Sequence, residues 1–128
     1  MKTVTLNRPW EASALFSMGV VSSGTYLHTA GITSRDEHGK VFAPGDMRKQ
    51  VEHVFGILGE ILQAAGANWE NVVKYTIFAT DVKAYNDTTR DIRARYFVGR
   101  PAATAVEVRS LVHPDMVVEI EAVVCLPW

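Results

Sequence analysis

The sequence predicts an α+β fold in which a single β-sheet carries two helices on one face. Three observations predict it. Segments rich in β-branched and aromatic residues alternate with two segments of helical periodicity, the resulting order is β-β-β-α-β-α-β-β, and 128 residues suit one domain. With 48% apolar residues and a net charge of −1, the chain has the composition of a folded domain with its own core. We therefore treat residues 1–128 as one domain, whose second sheet face meets either water or another subunit.

The N-terminal quarter contains three predicted strands. The first is short and covers residues 3–6, and two apolar, β-rich runs follow at residues 15–21 and 25–32. The intervening Ser22-Ser23-Gly24 is a turn sequence, so the second and third strands are predicted to form a hairpin.

A long amphipathic helix is predicted after a polar connection at residues 33–45. Asp46 is the predicted N-cap, and apolar residues then recur at steps of three and four as far as Ala65. Gly66 follows, and glycine is the residue type that most often ends a helix. These signals together define both ends of the first helix.

The C-terminal half repeats the alternation of strand and helix. Residues 72–80 predict a strand, and Asp81 is placed to cap a second helix that ends before Gly99. Two further strands are predicted at residues 102–109 and 117–125. We expect both helices to pack on the same face of the sheet, which leaves the other face uncovered in a single chain.

Composition excludes several classes of protein and site. The one cysteine, Cys125, cannot form an internal disulfide and fits a reducing compartment. No apolar run is long enough for a signal peptide or a membrane span, and the balanced charge provides no broad positive field for nucleic acid. The histidines show no metal-ligand spacing. We therefore expect a cytoplasmic protein without a metal ion, a membrane partner or a nucleic-acid partner.

The second predicted helix carries a cluster of arginines. Arg90, Arg93 and Arg95 lie within it, and Arg100 follows directly after it. Acidic residues alternate with these arginines and few aromatic side chains are available for base stacking, which favours a solvated helix face over nucleic-acid binding.

Three parts of the chain carry a recognisable pattern: Thr29-Ala30-Gly31, residues 72–82, and residues 101–108 with 118–122. Together they resemble the reactive-intermediate deaminase family, the Rid, YjgF or UK114-type proteins, which are also described as endoribonuclease L-PSP-like. The central block runs from Val72 to Phe78 and continues with Asp81-Val82. The signature region comprises residues 101–108 and 118–122, and Thr29-Ala30-Gly31 is similar to the family's small-residue turn. The resemblance extends from about residue 15 to the end of the chain.

The resemblance implies a chorismate-mutase-like fold that assembles as a homotrimer, with the uncovered sheet faces packed around the three-fold axis. It also implies a small-molecule ligand in clefts between neighbouring subunits, and no metal or organic cofactor. The activity implied is the hydrolysis of enamines and imines to a 2-keto acid and ammonia. In such a site an arginine holds the substrate carboxylate, a backbone group polarises the imine, and a glutamate-bound water attacks.

The resemblance also assigns candidate site residues. Glu119 takes the position of the catalytic, water-holding carboxylate, with a structural carboxylate at the trimer interface as the alternative. The positions that correspond to substrate-binding residues are Phe16, Ala30, Gly31, Thr89, Ala103 and Ala105.

The candidate site departs from the family pattern. Ala103 stands where active deaminases carry the carboxylate-binding arginine, and an alanine cannot form the paired, charge-assisted bonds that a guanidinium makes. Ala105 replaces a cysteine, Thr89 a common asparagine, and Phe16 a common tyrosine. The chain is thus identified as an arginine-lacking member of the family.

Two functions follow from this departure. The first is an enamine or imine hydrolase with an altered substrate anchor, supplied by Arg109 or by another arginine among Arg93, Arg95 and Arg100. The second is a non-catalytic trimer of the same family that binds a metabolite or acts in a chaperone-like way. Nucleic-acid cleavage is the weakest reading, because the chain has no excess of positive charge.

Overall fold

The computed structural model describes all residues, Met1–Trp128, and contains seven strands and three helices. The strands are β1 (Lys2–Val4), β2 (Gly19–Val21), β3 (Tyr26–His28), β4 (Ile32–Thr33), β5 (Val72–Ala79), β6 (Ala102–Glu107) and β7 (Val118–Cys125). The helices are α1 (Met47–Ala64), α2 (Val82–Thr88) and α3 (Arg90–Ala94), and two short 3-10 turns cover Pro9–Ser13 and Trp69–Asn71. The predicted α+β class is confirmed.

The main sheet has the order β3-β7-β5-β6, and β4 continues the β3 edge by pairing with β7. Strands β5 and β6 run parallel, whereas β7 is antiparallel to β3, β4 and β5. One face of this sheet packs against the helices and forms a core with residues from α1, β5 and β7. No element of the chain covers the other face. None of the helices combines the length and hydropathy that a bilayer crossing requires.

The first helix follows its sequence signals closely. Asp46 accepts a hydrogen bond from the Lys49 amide at 3.0 Å, as expected of an N-cap residue. At the other end Gly66 adopts a φ of +76°, a backbone conformation that glycine reaches without strain. Both predicted ends of α1 are therefore confirmed to within one residue.

The predicted N-terminal hairpin is wrong. Strand β2 pairs with β1 through Lys2↔Val21, whereas β3 pairs with the distant β7 through Tyr26↔Cys125. The segment between β2 and β3 therefore carries the chain from the small sheet to the main one. Turn residues indicate where a chain changes direction, but the choice of partner strand depends on burial, and β7 is the strand with the buried apolar side.

The predicted strand over residues 25–32 is interrupted. The Thr29 hydroxyl accepts a hydrogen bond from the Ala122 amide at 3.0 Å, in place of a backbone carbonyl. Ala30 and Gly31 consequently lie outside the strands, between β3 and β4. This break at the sheet edge exposes both residues and becomes important for the candidate site.

The second predicted helix is also divided, at Thr89. Thr89 has φ −125° and ψ 13°, outside the helical range, and its hydroxyl donates to the Tyr85 carbonyl. Arg48 of α1 secures the break, because it donates to the Thr88 carbonyl and forms an ion pair with Asp91 at 2.7 Å. The same Arg48 guanidinium lowers the pKa of Asp91 to about 2.

Gln50 is a buried polar residue that ties α1 to two loops. Its side-chain amide donates to the Ala43 and Asp115 carbonyls at 3.0 and 2.8 Å, and its carbonyl accepts from the Val117 amide at 2.9 Å. Gln50→Met keeps the length of the side chain but leaves these backbone groups unpaired. Each buried group that loses its partner costs about 1–3 kcal/mol of folding free energy.

We therefore expect Gln50→Met to lower the free energy of unfolding by about 3 kcal/mol in urea denaturation. Gln63→Met is the matched control, because Gln63 is exposed on the same helix. Equal stability of the two variants would contradict the role given to Gln50.

Candidate functional site

The alternation of side chains in the sheet divides the candidate residues between its two faces. In β6, Ala103 lies opposite Tyr75 and Ala105 opposite Ile77, and both partners are buried in the core beneath the helices. Directly paired residues share a face, so both alanines lie on the helix-covered side. Glu119 is flanked in sequence by buried residues of β7 and therefore lies on the uncovered side.

The candidate residues consequently do not form one cleft within a single chain. Strand β5 separates β6 from β7, and the partners of Ala103 and Glu119 on β5 are Tyr75 and Phe78. The two residues are therefore about 14 Å apart in the plane of the sheet and lie on opposite faces. The structure instead contains two separate groups, which we call the glutamate half-site and the arginine half-site.

The glutamate half-site consists of Ala30, Gly31 and Glu119. A methyl group at position 31 would overlap Glu119 Oε2 and lie 2.9 Å from Cδ, so the carboxylate occupies space that only a glycine leaves free. Glu119 is half-buried, and its carboxylate forms no hydrogen bond or ion pair within the chain. A carboxylate that lies in the space beside Gly31 and has no partner within the chain is available to bind a water molecule or a ligand.

The arginine half-site is a small depression of about 100 Å³ between helices α2 and α3 and strands β5 and β6. Three of the candidate residues line it, namely Phe16, Ala103 and Ala105. The other lining residues are Ile77, Tyr85, Asn86, Arg93 and Phe97. The structure therefore brings half of the predicted substrate-binding residues together around an arginine.

Arg93 is the candidate arginine that the structure places in this depression, and the sequence did not single it out from the others. It is 9% exposed, its Nε donates to Thr89 Oγ1 at 3.2 Å, and one terminal nitrogen, Nη2, donates to the Asn86 carbonyl at 2.7 Å. Its Cζ lies 5.0 Å from the centre of the Tyr85 ring, as in a cation–π contact. Burial lowers the pKa of Arg93 from its ordinary value, but a guanidinium remains charged in proteins.

Thr89 supports Arg93 and does not line the depression. The side chain is fully buried, and its hydroxyl accepts from Arg93 Nε while donating to the Tyr85 carbonyl. Within the chain, Thr89 therefore contacts the depression only through Arg93, and its substrate-binding role stays a prediction. The spacing 85, 89, 93 is a helical one, but the break at Thr89 could not be anticipated from that spacing.

The other candidate arginines have different partners. Arg100 donates to the backbone carbonyls of Glu11 and Phe16, and Arg95 pairs with Glu52 at 3.0 Å. Arg109 is exposed beyond the end of β6. Arg93 alone among them lines the depression beside Ala103.

Metal chemistry has no ligand set in this chain. No group of three or more His, Cys, Asp or Glu side chains is close enough together to hold a metal ion. The polar groups at the two half-sites are one carboxylate, one guanidinium, the Tyr85 hydroxyl and the Asn86 amide, a set suited to proton transfer and to binding an anion.

A mixed sheet with helices on one face, an unpaired carboxylate on the other and a buried arginine beside the edge strand β6 defines a small α+β protein with two candidate half-sites. The chain belongs to the endoribonuclease L-PSP family, whose sequence profile matches residues 5–126, and thus to the Rid proteins. The resemblance seen in the sequence is confirmed.

Proteins of known name and structure agree with this assignment. The chain is 30% identical over 123 residues to the rat (Rattus norvegicus) 2-iminobutanoate/2-iminopropanoate deaminase, covering 95% of this chain and 88% of that one. It is 35% identical over 115 residues to a RutC family protein from Synechocystis, covering 88% and 86%. The crystal structure of YyfB, a Rid family protein of unknown function from Yersinia pestis, superposes with a TM-score of 0.86 at 25% identity and covers 98% of each chain.

Proposed function

We propose that this protein hydrolyses small imines, together with enamines that tautomerise to imines, to a carbonyl compound and ammonia. The observation that carries the proposal is the Glu119 carboxylate, which is seated against Gly31 and has no partner within the chain. The similarity to a deaminase of 2-iminobutanoate and 2-iminopropanoate supports the same class of substrate.

In the proposed reaction, the Glu119 carboxylate accepts a proton from a water molecule as the water oxygen bonds to the imine carbon. The nitrogen gains a proton, and the product is a carbinolamine. The proton of the carbinolamine hydroxyl is then transferred to the amino nitrogen, the carbon–nitrogen bond breaks, and ammonia leaves as the carbonyl forms. One water is consumed for each carbonyl and each ammonia formed, so no oxidant or reductant is required.

We further propose that the complete site forms between two copies of the chain in a homotrimer. The two half-sites lie on opposite faces of the sheet and towards opposite edges, with β6 at one edge and β3–β4 at the other. An interface that joins one edge of a copy to the other edge of the next is head-to-tail, and such an interface closes into a ring when the rotation between neighbours is a whole fraction of a turn, one third for the trimer proposed here. Each ring then contains three complete sites.

A non-catalytic metabolite-binding trimer is the second candidate function. It is favoured by Ala103, because the chain lacks the arginine that marks active deaminases and yet keeps a buried guanidinium beside that position. Binding an anion there requires no reaction. A cytoplasmic location belongs to either proposal, since Cys125 has no cysteine partner in the chain.

A coupled assay distinguishes the two functions. The 2-imino acids that correspond to pyruvate and 2-oxobutanoate are generated in the presence of the purified protein, and the release of ammonia and keto acid is followed against the spontaneous rate. The hydrolase proposal expects acceleration that is proportional to protein concentration. Absence of acceleration across these imines and a panel of larger and neutral ones would contradict it, and ligand binding in the same samples would then support the second function.

A further inference from the structure

Arg93 is a buried charge without a counter-ion. No aspartate or glutamate forms an ion pair with it, whereas Arg48 and Arg95 pair with Asp91 and Glu52. Buried charges in proteins are normally paired, because the hydration that an ion loses on burial has a free-energy cost that only a well-placed partner offsets. The exposed arginines of this chain face no such cost, but Arg93 does. Its unpaired state therefore points to an anion that the isolated chain does not supply.

The hydrogen bonds of Arg93 leave a defined edge of the guanidinium free. A guanidinium has five N–H donors, and Nε and Nη2 each use one, on Thr89 and on Asn86. Nη1 makes no hydrogen bond within the chain. Every fully buried side-chain nitrogen has a partner, so Nη1 is not fully buried and is accessible at the depression that Arg93 lines. The protons that remain on Nη1 and Nη2 form the end-on pair that a carboxylate accepts through two parallel bonds.

The remaining walls of the depression restrict the ligand further. The Tyr85 hydroxyl has no partner within the chain and burial raises its pKa, so it stays a neutral donor. No acidic side chain lines the depression, and Phe16, Ala103 and Ala105 are apolar. A depression of about 100 Å³ accommodates a carboxylate with a short apolar substituent.

We propose that Arg93, held by Thr89 and Asn86, binds the ligand's carboxylate in place of the arginine that is missing at position 103. The ligand class is a small monocarboxylate with a short apolar body. The inference rests on the proposed function only in naming this carboxylate as that of the substrate, since the binding of a small anion does not depend on hydrolysis.

The test measures binding of 2-oxobutanoate, a stable carboxylate of the expected size, by isothermal titration calorimetry. Arg93→Met keeps much of the side-chain length and removes the charge, and is expected to weaken binding about 30-fold or more. Arg93→Lys is expected to recover part of the loss, because it restores the charge without the paired geometry. Arg95→Met is the matched control and should bind as the unmodified protein does, because Arg95 pairs with Glu52 at the surface.

A thermal readout keeps the proposal testable if Arg93→Met folds poorly. The melting temperature of the unmodified protein should rise with 2-oxobutanoate and stay constant with its neutral methyl ester, and in Arg93→Lys the rise should be smaller. Equal affinity of Arg93→Met and Arg95→Met, or an equal rise with the ester, would overturn the assignment of Arg93.

The outcomes also separate this inference from the proposed function. Loss of 2-oxobutanoate binding in Arg93→Met, in a protein that accelerates no imine hydrolysis, would leave the anion site standing and remove the hydrolase. Imine hydrolysis with a KM that Arg93→Met does not change would support the hydrolase and remove the anion site at Arg93.

Discussion

Glu119→Gln is expected to lower kcat for imine hydrolysis by about 10²–10⁴-fold. The amide has almost the shape of the carboxylate, so it still fits against Gly31, but it cannot accept a proton from the attacking water. Binding of 2-oxobutanoate should change far less than kcat, because the carboxylate of that ligand is bound at the arginine half-site. The measurement is steady-state kinetics on an imine generated in situ, with calorimetry on the same preparation.

Glu121→Gln is the control for this substitution. Glu121 lies two residues along β7 on the same uncovered face, and it lacks the contact with Gly31. A similar loss of kcat in both variants would mean that charge on this face matters in general, and would remove Glu119 from its catalytic role. Retained activity in Glu119→Gln would remove it as well.

Much of the fold could be predicted because its signals are local. The caps of α1 and the apolar alternation of β5 and β7 are read from neighbouring residues, and each of these elements lies where expected. The pairing of β3 with β7 joins residues about 100 positions apart, and the only signal available nearby, Ser22-Ser23-Gly24, suggested a hairpin. Long-range pairing depends on which strand presents a buried face, which a turn sequence does not encode.

The candidate site was likewise predictable only where its signals are local. The motif residues Gly31 and Glu119, both assigned to the candidate site by the resemblance, lie next to each other, and Phe16 lines the same depression as Ala103. The two pairs lie on opposite faces of the sheet because of the register of β5, β6 and β7. This arrangement cannot be read from any single segment of the sequence. Arg93 was one of several arginines in the sequence, and only packing shows that it is buried, while its neighbours Arg90 and Arg95 are exposed.

The position of Arg93 also changes the meaning of Ala103. From the sequence alone, Ala103 means only that the carboxylate-binding arginine is missing. In the structure, an arginine at position 103 would enter the depression that the Arg93 guanidinium already borders, and two like charges in a space of about 100 Å³ repel each other. The alanine thus leaves room for the arginine supplied by α3.

The second large effect is expected from mixing two inactive variants. Arg93→Met lacks the carboxylate anchor, and Glu119→Gln lacks the catalytic carboxylate, so each protein alone should have little activity at substrate concentrations well below KM. If every site takes Arg93 from one copy and Glu119 from the next, a trimer that contains both variants has sites in which both residues are intact. In random one-to-one trimers, about a quarter of all sites have both, because each half is intact with a probability of about one half.

The most direct test of a site shared between copies is therefore the activity of such hybrids. The two variants are unfolded together, refolded as a mixture, and checked for hybrid trimers by native mass spectrometry before the imine assay. We predict about a quarter of the activity of the unmodified protein, against almost none for either variant refolded alone. Hybrid trimers that are no more active than the two separate variants would show that the half-sites do not meet between copies, and would contradict the account.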